Sequence, residues 1–243
     1  MATNLVNNIS VGQLNACVVR AARLDADCGP TGGINGGIVT AALVTMSANP
    51  VVEDGTIFEP KSGCGNILFT FEQEDRIKRY TITGEFGFTD WELMALLFGG
   101  TLILGRAAGS YSGKVVGYAD PLYNIAPRNG VYLEVITTAV TEGGNGCVNA
   151  SLGASTPIAA VGHIFGKARL RAGDVTFANE VQKLMFSGTS TNNPNMTNGP
   201  WNDYPGAGYV ANSAHVQVGY SQTEYDAIVA TIGYGYKDIP AGS

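Results

Sequence analysis

The sequence predicts a mainly β fold: a β-sandwich or barrel of two packed antiparallel sheets, with one flanking α-helix and long loops. Three observations indicate it. Segments in which apolar and polar residues alternate recur along most of the chain, as in half-buried strands. The 243 residues include 33 glycines, and glycine supplies the positive φ that tight turns require. One segment alone carries a complete set of helix signals.

That helix is predicted over about 89–98. Thr89 can cap its first turn, and Glu92, three residues later, can complete a capping box. Gly99 follows as a left-handed stop. The side chains at helical spacing, expected to face the core, are Trp91, Met94, Ala95, Leu97 and Phe98. We interpret the helix as a structural element that packs against the sheets.

The strands are predicted from alternation and β-forming residues. In chain order they are Leu14–Leu24, Ile38–Met46, Asn66–Glu72, Arg76–Phe88, Thr101–Leu104, Val131–Val140, Gly162–Arg171, Asp174–Phe177, Val181–Gly188, His215–Tyr220 and Tyr225–Ile232. The last of these is also compatible with a helix. We expect an N-terminal arm at 1–13 and a single domain at 14–243. Its long loops are placed at about 25–37, 47–65, 105–130, 141–160 and 188–213, and loops of this length are functional or disordered.

The segment Ile38–Met46 is apolar on both faces, so both faces must be covered. One cover could be a neighbouring subunit, which makes Ile38, Val39, Leu43 and Val44 candidate inter-subunit contacts. The alternative is a central strand of a sandwich with a helix of the same chain behind it. Both explanations stay open at this point.

A run of charged residues lies between two predicted strands. Its candidate contact residues are Glu74, Asp75, Arg76, Lys78 and Arg79. The run is either a solvated hairpin tip or an interface in which the acidic half of one copy meets the basic half of the next.

Composition restricts the function. Charged residues make up 14% of the chain, against about a quarter in ordinary soluble domains. Part of the surface is therefore expected to be covered by other protein. The formal charge of −6 argues against tight, specific binding of nucleic acid, which needs basic patches.

Cys17, Cys28, Cys64 and Cys147 form no CxxC pair and lie at no metal-ligand spacing, so we expect reduced, partly buried thiols. No secretory signal pattern and no apolar run near the ~20 residues of a membrane span is found in this sequence. A reducing cytoplasm is the expected site of synthesis and assembly, without a membrane partner.

No catalytic pattern is found. The Gly-Lys pairs at 113–114 and 166–167 are one residue short of a phosphate loop, and neither is followed by Ser or Thr. His163 and His215, the two histidines, accompany no nucleophile elbow. We therefore predict no enzyme, no cofactor and no metal site.

Several segments together resemble a known family. They are Val18–Asp25 followed by Cys28-Gly29, the pair Arg79–Phe88 and Asp90–Gly99, the stretch Phe165–Gly188 around Gly173–Asn179, and Gly199–Pro205. They resemble the major tail tube proteins of long, non-contractile-tailed (siphovirus-type) phages, particularly those that infect actinobacteria. The resemblance covers most of the chain up to Pro205.

The resemblance implies a virion protein without enzymatic activity. Such subunits form six-membered rings that stack into a tube, which guides genome DNA from capsid to host. The implied partners are other copies of the chain, the tape measure, tail terminator and distal tail proteins, and DNA passing without sequence-specific binding. We expect a net negative lumen, which would repel phosphates and let DNA slide.

Two other functions fit the same fold. One is a capsid decoration protein. The other is a glycan-binding module in which Trp201, Tyr204 and Tyr209 form a stacking platform, although aromatic residues in such a loop suit inter-subunit packing equally well.

Overall fold

A computed structural model describes residues 11–121, 129–141, 158–174, 182–196, 199–203 and 213–240. The described part is mainly β with antiparallel pairing, which confirms the predicted fold class. The strands are β1 (Val11–Arg23), β2 (Gly33–Thr40), β3 (Leu43–Glu53), β4 (Ile57–Phe58), β5 (Phe71–Glu72), β6 (Arg76–Phe86), β7 (Thr101–Leu104), β8 (Val115–Ala119), β9 (Val131–Thr141), β10 (Ala160–Ala172), β11 (Leu184–Thr191), β12 (Val216–Tyr220) and β13 (Lys237–Ile239). The helices are α1 (Trp91–Leu97) and α2 (Gln222–Val229).

Nine strands form the main sheet, in the order β13-β2-β1-β9-β10-β11-β6-β3, with β12 also paired to β10. The first half of β10 lies between β9 and β12, while its second half pairs with β11. The ladder between β9 and β10 is irregular between Phe165 and Ala168. A strand that changes neighbours along its length lets one sheet bend into two packed layers.

The predicted strand Ile38–Met46 is wrong, because it is two strands. Ala41 and Ala42 separate β2 from β3, and the Ala42 amide donates to the Thr40 hydroxyl (3.1 Å) in a local turn. β2 and β3 lie near opposite ends of the sheet order. Because only two residues connect these strands, the sheet must curl so that the end of β2 lies close to the start of β3.

β1 is covered on both faces by its own chain. Val19 and Ala21 join the main core, with Phe86 from β6, Phe165 from β10 and Leu96 from α1. On the opposite face Val18 and Ala22 join two smaller cores, one of which includes Ile228 of α2. The helices thus cover opposite sides of the β1–β9 region.

Helix α1 begins one residue later than predicted. Asp90, not Thr89, is the N-cap, and its Oδ1 accepts from the amides of Glu92 (2.9 Å) and Leu93 (3.3 Å). A carboxylate at this position satisfies two amides that have no partner within the helix. The predicted stop is confirmed, since Gly99 has φ +82°.

The predicted core-facing side of α1 is confirmed in part. Ala95, Leu97 and Phe98 are buried as predicted, and Met94 packs against the main core. Trp91 is exposed, and the buried Leu93 and Leu96 were not predicted. The helix packs on the sheet through residues 93, 96 and 97, so Trp91 lies at the edge of this contact.

Helix α2 is an element that sequence analysis offered only as an alternative to a strand. Ser221 accepts from the Glu224 amide (3.4 Å), and Glu224 Oε2 accepts from the Ser221 amide (2.8 Å). This reciprocal pair is the capping box that was predicted for α1.

Strand residues extend into all five predicted loops. β2 begins inside 25–37, β3 runs to Glu53 inside 47–65, β8 lies inside 105–130, and β11 runs to Thr191 inside 188–213. In 141–160 only the two end residues belong to strands, to β9 and β10. Close packing accounts for two glycines of β2, since a Cβ would lie 2.6 Å from the Thr31 carbonyl oxygen on Gly36 and 2.7 Å from Trp201 on Gly37. β1 starts at Val11, inside the predicted arm, while residues 1–10, most of 141–160 and most of Asp174–Phe177 lie outside the described residues.

Candidate functional site

Residues 54–75 form a ribbon beyond the paired ends of β3 and β6, which we call the apolar projection. β4 and β5 pair within it, and the Gln73 amide donates to the Thr56 carbonyl (3.1 Å). At its base the Gly55 amide donates to Asp75 Oδ1 (2.6 Å). A Cβ on Gly55 would lie 1.5 Å from the Gln73 carbonyl oxygen, so the close crossing of the two arms requires glycine there.

The side chains of the apolar projection face outward. Six large apolar residues are each between 51% and 64% exposed: Ile57, Phe58, Ile67, Leu68, Phe69 and Phe71. The Phe58 and Phe69 rings pack against each other, with centroids 6.1 Å apart. The predicted strand Asn66–Glu72 is shortened to Phe71–Glu72. A contiguous apolar patch of this kind marks an interaction surface.

Charged side chains surround the base of the apolar projection, and several pair within the chain. Arg76 Nε lies 3.4 Å and Lys78 Nζ 3.3 Å from the Glu53 carboxylate. Hydrogen bonding and charge from Lys78, followed by the Arg76 charge, lower the pKa of Glu53. Glu74 and Arg79 are exposed. All of these groups are in water, so the pairs contribute little stability.

The four candidate inter-subunit contacts of Ile38–Met46 differ in how far they are exposed. Ile38, Val39 and Leu43 are buried in the cores of their own chain, so the single subunit leaves them no surface to offer a neighbour. This corrects their selection as inter-subunit contacts and favours the alternative, cover from the same chain. Val44 is 52% exposed and can still contact another copy.

Trp201 is half-buried against its own chain. Arg20 lies over its ring, 4.8 Å from the centroid, and Tyr132 meets it edge-on at 6.1 Å. One face of the indole is therefore occupied. Tyr204, its predicted companion, lies outside the described residues.

Beneath Trp201 lies a buried polar network that sequence analysis missed. Arg20 Nε donates to Glu134 (2.7 Å), and the hydroxyls of Tyr132 (2.9 Å) and Tyr220 (2.6 Å) donate to the same carboxylate. Arg20 also pairs with Asp203. Arg20 interrupts the apolar run Val18–Ala22 of β1, and a charged residue at such a position was the signal available in the sequence.

Burial and charge act in opposite directions in this network. Burial, the largest single effect, lowers the pKa of Arg20, but Glu134 together with Tyr132, Tyr220 and Asp203 outweighs it and raises that pKa above its ordinary value. Burial, then the Glu134 charge, raise the pKa of the Tyr220 hydroxyl. Arg20 therefore stays charged and Tyr220 stays neutral. Through the Arg20–Asp203 pair, the network holds the 199–203 turn on the sheet.

The two histidines lie together. His163 Nδ1 and His215 Nε2 are 3.1 Å apart, and the rings are stacked at 8°. His215 also packs on Tyr80 and Phe165. Burial, and then the neighbouring His163, lower the pKa of His215 to about 4, so both rings are neutral at pH 7. They form an aromatic cluster rather than a catalytic pair.

Within the described ranges, no three His, Cys, Asp or Glu side chains gather closely enough to hold a metal ion. Nor does any described helix have the length and apolar character needed to cross a membrane. Compared with known proteins, the chain matches no protein-family model and has no significant match among curated proteins.

Proposed function

We propose that the chain is a structural virion protein that assembles with identical copies into stacked, six-membered rings, forming the tube of a phage tail through which genome DNA passes. The observation that carries the proposal is the apolar projection, whose six large side chains are left in water by their own subunit.

Burial of such side chains drives association. Complete burial of one large apolar side chain contributes roughly 1.5–3 kcal/mol. Covering the exposed half of six of them would contribute several kcal/mol per contact before the cost of association is subtracted. In a ring or a stack every subunit makes this contact, so the gain is repeated along the tube.

The edge of the main sheet offers a second contact. β3 is the last strand in the order, and in the described part of the chain its outer edge pairs with no other strand. An unpaired edge of 11 residues is a template for pairing with another chain. Val44 is exposed on this strand and could take part in a lateral contact within a ring.

The charged residues at the base of the projection would determine how neighbouring copies are oriented rather than how tightly they bind. Glu74 and Arg79 are exposed and of opposite sign, and so could meet their counterparts on a neighbouring copy. The formal charge of −6 supports the further proposal of a net negative lumen that does not retain DNA. A tube structure with a lumen lined mainly by Lys and Arg would contradict that part.

The alternatives receive less support. A glycan platform needs a free aromatic face, and one face of Trp201 is covered by Arg20. A capsid decoration protein could use the same apolar surface, but would form small closed oligomers rather than filaments.

Negative-stain electron microscopy and sedimentation of the purified chain test the proposal. We expect rings or hollow filaments for the native chain. A double variant, Phe58→Ser with Leu68→Ser, should keep its circular dichroism spectrum and fail to assemble. The matched control is Tyr234→Ser, which changes an exposed aromatic residue (89% exposed) outside the projection. A native chain that stays a single subunit at high concentration would overturn the proposal, as would assembly of the double variant at the native concentration.

A further inference from the structure

Cys28 and Lys167 make an unusually close contact. The Lys167 ammonium Nζ lies 2.9 Å from Cys28 Sγ. That is the ordinary length of an N–H···O bond, about 2.9–3.0 Å. Sulfur is a larger atom than oxygen, so a hydrogen bond to a thiol is expected to be longer. The two atoms are therefore nearly close enough for one bridging atom to join them.

A buried amide holds both residues in place. Asn193 is 0% exposed. Its Nδ2 donates to the carbonyl of Cys28 itself (2.8 Å) and to that of Gly166 (2.9 Å), the neighbour of Lys167. One side chain thus fixes the backbone at both ends of the contact.

The loop that carries Cys28 is also held locally. Asp25 Oδ1 accepts from the amides of Asp27 (2.9 Å) and Gly29 (2.8 Å). Cys28 itself has φ +64°, a conformation that a residue with a Cβ adopts at some cost. The thiol is therefore directed at β10 by a constrained turn.

The Lys167 amine has no competing partner of opposite charge. In the described part of the chain no carboxylate lies within ion-pair distance of Nζ. Both residues are half-buried, so a small oxidant can reach them while bulk solvent is partly excluded.

We propose that Cys28 and Lys167 form an oxidation-dependent covalent bridge, in which one oxygen atom links Sγ to Nζ. The oxidant is dioxygen. The thiol and the neutral amine each lose one hydrogen, one oxygen atom enters the S–O–N bridge, and the other leaves as water. Sulfur and nitrogen are oxidised, and dioxygen is reduced by four electrons. A thiol reductant reverses the reaction by returning four electrons and four protons, which restores the thiol and the amine and releases the bridging oxygen as water.

The bridge responds to the redox compartment. In a reducing cytoplasm the residues stay separate, and outside the cell, where covalent sulfur cross-links persist, the bridge closes a loop between positions 139 residues apart. Such a link restricts the unfolded chain and raises Tm. This inference does not depend on the proposed function.

Mass spectrometry of the purified chain tests the bridge. After exposure to air, the intact chain should gain the mass of one oxygen atom and lose that of two hydrogen atoms, and a digest should yield one peptide that joins Cys28 to Lys167. A thiol reductant should remove both signals and lower Tm.

Lys167→Arg keeps the positive charge but lacks the primary amine, so it should give no linked peptide and no change of Tm on oxidation. The matched control is Cys17→Ser, since Cys17 is also half-buried but its Sγ contacts a carbonyl, that of Asn15; it should form the bridge as the native chain does. A Cys28 that remains a thiol under air, or is found only as sulfinic or sulfonic acid, would overturn the proposal. An equal mass gain in Lys167→Arg would overturn it too, and that variant leaves Cys28 and the Asn193 contacts in place.

Discussion

Arg20 and Glu134 are register partners across β1 and β9, and they form an ion pair at 2.7 Å with side chains only 3% and 0% exposed. Apart from Tyr132, which lies two residues from Glu134, the partners of this pair come from distant parts of the chain. Tyr220 bonds both members, and Asp203 contacts Arg20. The pair thereby fixes the position of β12 and of the 199–203 turn relative to the β1–β9 ladder.

Removing one member of this pair should be costly. Glu134→Leu leaves the buried Arg20 charge without its main partner, so we expect a loss of about 3–5 kcal/mol in the free energy of unfolding, measured by urea denaturation. The double variant Arg20→Met with Glu134→Leu should lose less than Glu134→Leu alone, because the one carboxylate that it leaves unpaired, Asp203, is 35% exposed rather than fully buried. Glu53→Gln, which breaks an exposed pair, is the control and should change stability little. A double variant less stable than the single one would contradict this explanation.

Stability should fall with acid because of the histidine cluster. The pKa of His215 in the folded chain is lowered from 6.5 to about 4, so the unfolded chain binds a proton at pH values where the folded chain does not. The free energy of unfolding should therefore be unaffected by this group above pH 6.5, and should decrease as the pH falls from 6.5 towards 4. Partial exposure limits the loss to on the order of 1–2 kcal/mol. His215→Phe keeps an aromatic ring between Tyr80 and Phe165, and its unfolding should show a weaker pH dependence. If the free energy of unfolding changed with pH by the same slope in both proteins, His215 would not be the source of the pH dependence.

Two glycines of the apolar projection should behave differently. Gly55→Ala places a methyl group 1.5 Å from the Gln73 carbonyl oxygen, whereas Gly63 has no atom within 4 Å of its position for a Cβ. We expect Gly55→Ala to distort the projection and abolish assembly in sedimentation experiments, while the Tm of the main fold changes little. Gly63→Ala should assemble like the native chain. Loss of assembly in both variants would contradict the explanation that a steric clash at Gly55 is responsible.

The observed cap of α1 can be separated from the predicted one. Asp90→Ala removes a carboxylate that accepts from two amides and should cost about 1 kcal/mol in urea unfolding. Thr89→Ala should cost much less, because Thr89 lies outside the cap. A larger loss of stability in Thr89→Ala than in Asp90→Ala would instead support the predicted cap at Thr89.

Alternation along the chain predicted the fold class and most strands, because period-two patterning depends only on which face is buried. It could not place the break at Ala41 and Ala42, because residues on both sides of the break are apolar. Nor could it show that β2 and β3 lie at opposite ends of one curled sheet, which is a consequence of long-range pairing.

The candidate site was predicted unevenly. The charged run at Glu74–Arg79 was identified, since charge is visible in sequence, but its pairing with Glu53 depends on the β3–β6 register. The alternation of Ile67, Phe69 and Phe71 is the same for a core strand and an exposed ribbon, and only the tertiary structure distinguishes them. Arg20 and Glu134 were overlooked because their partners are more than 60 residues away from each of them, except for Tyr132.

The pairing of β1 with β9 also affects when the sheet can form during synthesis of the chain. Val18 pairs with Ile136, so the first strand leaves the ribosome long before its partner is synthesised, and β2 must wait for Lys237 to complete its other side. Proteins with such distant pairings fold slowly. The nascent chain therefore cannot complete its sheet until Lys237 has been synthesised, and during that interval the unpaired early strands are exposed to aggregation.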